Sequence, residues 1–110
     1  MSFGVSHVPV LLREVVGALN LHDGGVYVDG TFGRGGYTKK ILQTRLSVQV
    51  IGIDRDPSAK TVADTLLKEF PDRFQFVQGV FSQLHQHLQS INIKKVDGVV
   101  LDLGVSSPQH

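Results

Sequence analysis

The chain contains no cysteine among its 110 residues, which excludes disulfides, thiolate catalysis and cysteine-ligated zinc. No apolar run approaches the roughly 20 residues that a membrane-spanning helix needs. A basic block is also missing, because residues 1–50 carry five basic and three acidic groups and residues 51–110 carry six and seven. Composition therefore gives no signal for nucleic-acid binding. Residues 1–6 show no cationic, serine-rich presequence, and we expect a cytoplasmic protein.

The hydrophobic pattern predicts a single α/β domain that covers residues 1–110. Apolar spacing predicts a helix over 8–19, and strands are predicted over 26–29, 48–54, 74–78 and 96–103. Helices are predicted from 36 to about 42, from 56 to 70, and from a start capped by Ser82. Strands that alternate with helices favour an open parallel sheet of four strands.

Carboxylates follow three of the four predicted strands. Asp29, Asp54 and Asp102 stand at the ends of the first, second and fourth strands, and the turn 79–81 follows the third. Because open parallel sheets bind ligands at the carboxyl ends of their strands, these positions form the predicted site.

The stretch VDGTFGRGGYT, residues 28–38, is a glycine-rich turn between a strand and a helix. A phosphate-binding P-loop is excluded, because Gly36 stands where the motif requires lysine. The dinucleotide pattern G-x-G-x-x-G begins at Gly33 and Gly35, but Thr38 occupies the third glycine position. The loop therefore lacks the complete signature of either phosphate-binding class.

Asp29 also disfavours a pyrophosphate, since two negative charges at close range repel each other. The same carboxylate suits S-adenosylmethionine, which carries a sulfonium and an ammonium and no phosphate. The backbone of Gly33, Gly35 and Gly36 can line its methionine portion, and Asp54 can accept hydrogen bonds from both ribose hydroxyls. The alternative is a purely structural turn, with Asp54 belonging only to the start of the next helix.

Five stretches of the sequence, 7–16, 27–38, 51–57, 72–82 and 96–109, resemble the bacterial 16S rRNA cytosine-N4 methyltransferases of the small-subunit methyltransferase H type. LDLGVSSPQ and GTFGRGG are the most distinctive of the matching motifs. The resemblance implies a Rossmann-like class I S-adenosylmethionine-dependent methyltransferase. It further implies methylation of a cytidine N4 amine in small-subunit rRNA, with no metal.

The resemblance also implies roles for individual residues. Gly35, Gly36 and Tyr37 match the loop that holds the cofactor, although the family usually has histidine where Tyr37 stands. Asp54 matches the acid that binds the ribose. Phe81 matches an aromatic residue at the adenine site, and its alternative role is a hydrophobic plug.

Asp102 and Gln109 match the remaining cofactor contacts after the fourth strand. Asp102 is also the candidate catalytic residue, because an acceptor on an amine hydrogen makes the cytosine nitrogen more nucleophilic and stabilises developing positive charge. The tetrapeptide that begins at Asp102 lacks the prolines and the aromatic residue common in amino-methyltransferases. His7 lies in a matching stretch, where a place near the substrate pocket and a structural role both remain open.

Two other functions stay open at this point: an NAD-binding oxidoreductase fragment, and a non-catalytic nucleotide- or RNA-binding module. His85 and His87 are predicted to point to different sides of a helix and to be solvated, not to bind a metal. Methyltransferase sheets of this class continue beyond the fourth strand. We therefore expect residues 1–110 to be the N-terminal, cofactor-binding part of such a domain, with an exposed fourth strand through which the chain self-associates.

Overall fold

The computed structural model describes residues 16–44 and 46–101, which form a parallel sheet with helices on both faces. The strands are β1 Val26–Asp29, β2 Gln49–Asp54, β3 Phe74–Gln78 and β4 Gly98–Val100. The helices are α1 Gly36–Leu42, α2 Ala59–Glu69 and α3 Leu84–Ser90, and a 3₁₀ turn, Phe81–Gln83, precedes α3. The strand order is β3-β2-β1-β4 and every pairing is parallel, as the alternation of strands and helices predicts.

Most predicted boundaries agree with the structure, and β3 agrees residue for residue. The helix predicted over 56–70 begins only at Ala59, because Asp56 and Pro57 form the hydrogen-bonded turn that leads into it. Of the helix predicted over 8–19, residues 16–18 are helical and residues 8–15 lie outside the described residues. β4 ends at Val100, and residues 102 and 103 of its predicted range lie outside the description.

The prediction that Ser82 caps α3 is wrong. Ser82 lies inside the 3₁₀ turn, and the residue before α3 is Gln83, which makes no side-chain capping bond. The chain enters α3 through a tighter turn that already uses the local backbone hydrogen bonds. A hydroxyl two residues before the first apolar position is therefore not sufficient evidence for a cap.

The two faces of the sheet carry separate apolar clusters. On one face, α1 and α2 pack their buried residues, among them Ile41, Ala63 and Leu66, against Tyr27 and Val50. On the other face, α3 covers a second cluster, which contains Val28, Ile51 and Ile53. Successive strand residues thus point to opposite faces and both faces are buried. No helix within the described ranges is long and apolar enough to cross a membrane.

Phe32 anchors the glycine loop to the first face. Its ring is buried and stacks on Phe74 with centroids 5.5 Å apart, and it meets Phe76 edge-on at 5.4 Å. The ring lies directly on the backbone of β2, since a methyl group on Gly52 would be 2.6 Å from Phe32 Cδ1. The backbone of the loop is also bonded to β2, because the Phe32 N–H donates to the Ile53 carbonyl at 3.0 Å. Gly52 is therefore glycine because Phe32 occupies the space of its side chain.

Asp97 fixes β4 to the other end of β1. The Val26 N–H donates to Asp97 Oδ2 at 2.9 Å, and the Asp97 N–H donates to the Val26 carbonyl at 2.7 Å. The hydrogen bond from Val26 holds the pKa of the Asp97 carboxyl below its ordinary value of 3.8, and the charges of His22 and Lys95 add to this effect. Within the described residues β4 pairs with β1 alone, and its Val99 is 39% exposed.

Replacement of Gly52 tests the packing of the Phe32 ring on the backbone of β2. Gly52→Ala should destabilise the chain by about 1–3 kcal/mol, because overpacking forces the Phe32 ring or the strand to move. The matched control is Gly17→Ala, since a methyl group there meets nothing within 4 Å. Urea unfolding of the two variants and the wild type measures the difference. Equal stability of Gly52→Ala and wild type would contradict the packing described for Phe32.

Replacement of Asp97 tests the pair of hydrogen bonds between Asp97 and Val26 that joins β4 to β1, here called the clamp. Because the pKa of Asp97 is lower in the folded chain, its stabilisation is present above the ordinary value of 3.8 and is lost as pH falls through the folded value. Asp97→Asn should therefore be less stable than wild type near neutral pH, with the gap closing in acid. Thermal unfolding between neutral pH and the acid range measures this. Asp72→Asn, which changes an exposed carboxylate, is the control, and a gap that stayed constant with pH would refute the clamp.

Candidate functional site at the carboxyl edge of the sheet

The strand order reverses direction at one place in the sheet, between β1 and β4. The chain runs outward from β1 to β2 and β3, and then returns to β4 on the opposite side of β1. In doubly wound sheets, ligands bind at such a switch point, outside the carboxyl ends of the strands. Here this position lies where Gly30, directly after β1, donates its N–H to the Val100 carbonyl of β4 at 2.9 Å.

Asp54 ends β2 and reaches the glycine loop. Its Oδ2 accepts the N–H of Gly33 at 2.7 Å, and its Oδ1 accepts the N–H of Asp56 at 2.9 Å. A carboxylate offers about four acceptor positions, so each oxygen keeps capacity for one further donor. Asp54 is half-buried. It can therefore hold the loop and still accept two hydroxyl groups from a ligand.

Asp29 has a different environment, because it is fully buried with 0% exposure. Its Oδ2 accepts a hydrogen bond from the hydroxyl of Thr38 at 2.8 Å, and its Oδ1 accepts the N–H of Thr31 at 3.3 Å. Thr38 is also fully buried, on the inner side of α1. Burying a carboxylate is costly unless such donors satisfy it. Asp29 thus ties the first turn of α1 to the loop, a structural role that the sequence did not predict.

The predicted loop glycines divide into two kinds. Gly33 and Gly35 have left-handed backbone, with φ of 53° and 79°, which glycine adopts without strain. Gly35 is buried, and a methyl group there would lie 3.1 Å from the Phe32 ring and 3.2 Å from Val62. Gly36 is exposed, and a methyl group there would meet nothing within 4 Å. The backbone at Gly33 and Gly36 is thus open to a ligand, whereas Gly35 serves the turn and its packing.

The two predicted aromatic residues are both half-buried. Tyr37 packs against the first-face cluster. Phe81 packs against the second-face cluster and also covers the loop, since a methyl group on Gly30 would lie 2.5 Å from Phe81 Cδ1. Phe81 therefore stands beside the switch point with one part of its ring in the core. That Phe81 contacts a purine stays a prediction. That Tyr37 contacts the cofactor also stays a prediction.

Three residues singled out by the sequence, Asp102, Gln109 and His7, lie outside the described residues. Their roles stay predictions. Among residues 16–44 and 46–101, no group of three or more histidine, aspartate or glutamate side chains could hold a metal ion.

Sequence reasoning missed Phe32 and misjudged His87. A large aromatic residue inside a glycine-rich loop is a signal that could have identified Phe32, because such a side chain is expected to be buried. His87 is not solvated as predicted: it is half-buried, and its Nε2 lies 3.0 Å from the Val80 carbonyl. His85 is exposed, as expected.

The carboxylates at this edge disfavour a phosphate ligand. Asp54 ends β2 and Asp56 lies on the turn that follows, beside the loop. Hydrogen bonds from the backbone and the side chain of Ser58 lower the pKa of Asp56, so its carboxylate stays charged. Arg34 and Arg55 are exposed on the same loops. A ligand that offers hydroxyl groups and positive charge fits the carboxylates better than a pyrophosphate does.

Comparison with solved structures supports the fold assignment. The chain is similar to a geranyl diphosphate methyltransferase solved in complex with SAM, with a TM-score of 0.56, 19% identity, and coverage of 64% of this chain and 29% of the other. At that identity the likeness concerns the fold, which is the Rossmann-like fold of methyltransferases.

Comparison with curated proteins gives closer relatives. Proteins named ribosomal RNA small subunit methyltransferase H are 47% identical in Zymomonas mobilis, 51% in Shewanella oneidensis and 52% in Brucella ovis, over 98%, 99% and 96% of this chain. The chain spans about a third of their length, 32%, 35% and 30% respectively. The sequence profile of the MraW methylase family matches residues 4–110, and the chain belongs to that family.

Proposed function

We propose that this chain is the cofactor-binding part of an S-adenosylmethionine-dependent methyltransferase that methylates the N4 amine of a cytidine in small-subunit rRNA. The observation that carries the cofactor assignment is the Asp54 carboxylate, which joins the end of β2 to the glycine loop at Gly33 and keeps acceptor capacity on both oxygens. Membership of the MraW methylase family supports the methyltransferase class. The names of the rRNA methyltransferase relatives support the substrate, and such a substrate implies a cytoplasmic protein.

The residues at the switch point fit the cofactor. Asp54 would hold the ribose through its two free acceptor positions, and the open backbone of Gly33 and Gly36 would line the methionine portion. Phe81 would contact the adenine, beside Gly30. Tyr37, Asp102 and Gln109 are further proposed cofactor contacts. The cofactor contacts predicted for Asp29 and Gly35 stay predictions beside the structural roles of these two residues. When bound, the cofactor supplies an electrophilic methyl group next to a sulfonium.

The contribution of the protein to such a transfer is mainly positioning. Asp29 and Thr38 hold the first turn of α1, and Phe32 holds the loop, so the backbone that meets the cofactor is fixed before binding. Holding two reactants in line removes much of the entropic cost of their meeting. Asp102 is the proposed acceptor for an amine hydrogen of the cytosine, which would raise the nucleophilicity of its nitrogen.

An NAD-binding oxidoreductase is disfavoured by two observations. The loop has Thr38 where the third glycine of the dinucleotide motif should stand, and the hydroxyl of that threonine bonds to the buried Asp29. The MraW family match points to methyl transfer as well. A non-catalytic RNA-binding module is the second candidate. Isothermal titration with S-adenosylmethionine separates the two, because the cofactor-binding part of a methyltransferase should bind this ligand and an RNA-binding module should not.

The first test removes the proposed ribose acid. Asp54→Ala should weaken S-adenosylmethionine binding about tenfold or more, because hydrogen bonds to a charged acceptor contribute about 1.5–3 kcal/mol. Asp54→Asn, which keeps one oxygen, should fall between Ala and wild type. Isothermal titration measures the affinities, and Asp72→Asn, which changes an exposed carboxylate just before β3, is the control. NAD should bind none of these proteins. Unchanged affinity in Asp54→Ala would remove Asp54 from the site.

The second test uses the open space at Gly36. Gly36→Ala should leave the fold intact or stabilise it by about 0.5–1 kcal/mol, since alanine is favoured over glycine in a helix. The same methyl group should weaken S-adenosylmethionine binding if the cofactor approaches the loop at this residue. Thermal unfolding and titration, with Gly17→Ala as control, separate the two effects. A stable Gly36→Ala variant with wild-type affinity would mean that the ligand does not approach Gly36.

A further inference from the structure

His87 of α3 packs against the turn that follows β3. Its Nε2 lies 3.0 Å from the Val80 carbonyl, an acceptor, so the Nε2 carries the proton and donates. The ring also lies against Gly79, because a methyl group there would be 2.5 Å from His87 Cε1 and 2.6 Å from Nε2. The histidine thus occupies the space of the absent side chain at position 79 and bonds to the next residue.

The same turn is bonded to the proposed cofactor site on its other side. The Gly79 N–H donates to the backbone carbonyl of Asp54 at 3.0 Å. Two residues further on, the Phe81 ring covers Gly30 at the start of the glycine loop, together with the side chain of Leu101. The turn 79–81 therefore links the end of β2 to the aromatic residue at the switch point.

Other contacts also hold this turn, since the Phe81 ring packs against the second-face cluster and the Gln83 N–H donates to the Val80 carbonyl at 3.1 Å. The 3₁₀ turn that begins at Phe81 has no side-chain cap, and neither has α3. The apolar side of α3 contacts the sheet through Leu84 and Leu88, which are half-buried. Of the side chains of α3, His87 is the one seen to bond the turn directly.

We propose that His87 is a positioning residue for the cofactor site: its ring seats on Gly79 and bonds Val80, and so fixes the Phe81 ring over Gly30. The inference rests on the proposed function, in which Phe81 contacts the cofactor. His87 itself touches neither substrate nor cofactor in this scheme. Its effect on binding passes through the turn 79–81.

The test measures ligand affinity and turn geometry in the 110-residue chain. His87→Ala should weaken binding of S-adenosylmethionine and S-adenosylhomocysteine alike by about three- to tenfold, the worth of one hydrogen bond. His87→Gln, whose amide N–H can donate to the Val80 carbonyl, should recover most of the affinity. His85→Ala, on the exposed side of the same helix, is the matched control and should bind as wild type does.

A double-mutant cycle tests whether the His87 ring packs on Gly79. Gly79→Ala should weaken binding in the wild-type background, because its methyl group displaces the His87 ring. In the His87→Ala background the same change should have a smaller effect, since the ring that it would displace is gone. Additive effects would show that the ring does not occupy this space and would overturn the proposal.

A ligand-free measurement completes the design. Nuclear Overhauser contacts between the Phe81 ring and the Gly30 Hα protons should weaken in His87→Ala and return in His87→Gln. If wild type binds S-adenosylmethionine and His87→Ala keeps its affinity and loses only thermal stability, the positioning role is wrong and the proposed function stands. If wild type does not bind S-adenosylmethionine, the proposed function fails and this inference fails with it.

Discussion

The contact between the Phe32 ring and the bare backbone of Gly52 is the constraint on which the site depends. A glycine-rich loop has little to hold it, because it lacks side chains that could bury apolar surface. Here one aromatic ring supplies that surface and seats the loop on β2, with Phe74 and Phe76 around it. Once the ring is seated, the next N–H in the chain, that of Gly33, lies against Asp54. The geometry of the site thus follows from the packing of a core residue.

Two carboxylates at this edge do different work because they differ in burial. Asp29 is surrounded by protein and uses donors from Thr31 and Thr38, so it acts on the position of α1. Asp54 is half-buried, and its oxygens each take one backbone N–H. Both carboxylates lie close to a loop whose glycine pattern suggests phosphate. The charge of the neighbours, more than the number of glycines, separates the ligand classes.

The sequence predicted the fold well, and the structure brings the predicted Asp54 and the glycine loop together. Parallel order and strand positions followed from alternation and from β-branched runs such as that of β2, since burial on both faces leaves a strong apolar signal. The role of Asp29 was not predictable, because a buried partner on the next helix is a tertiary contact. Phe32 and His87 were missed for the same reason: each fills the space of a glycine on another structural element, Gly52 and Gly79. Sequence reasoning can find a glycine, but not which side chain takes its place.

Two hydrogen bonds at opposite edges of the sheet differ in the length of chain that they close. Gly33 and Asp54 are 21 residues apart, whereas Val26 and Asp97 are 71 residues apart. Closing the longer loop costs about 1 kcal/mol more in chain entropy, and pairings distant in sequence form late in folding. The unit of β1, the glycine loop and β2 can therefore assemble before β4 joins β1. A ligand seated between β1 and β4 would bind only after that last pairing, so its binding would favour the fully assembled sheet over its folding intermediates.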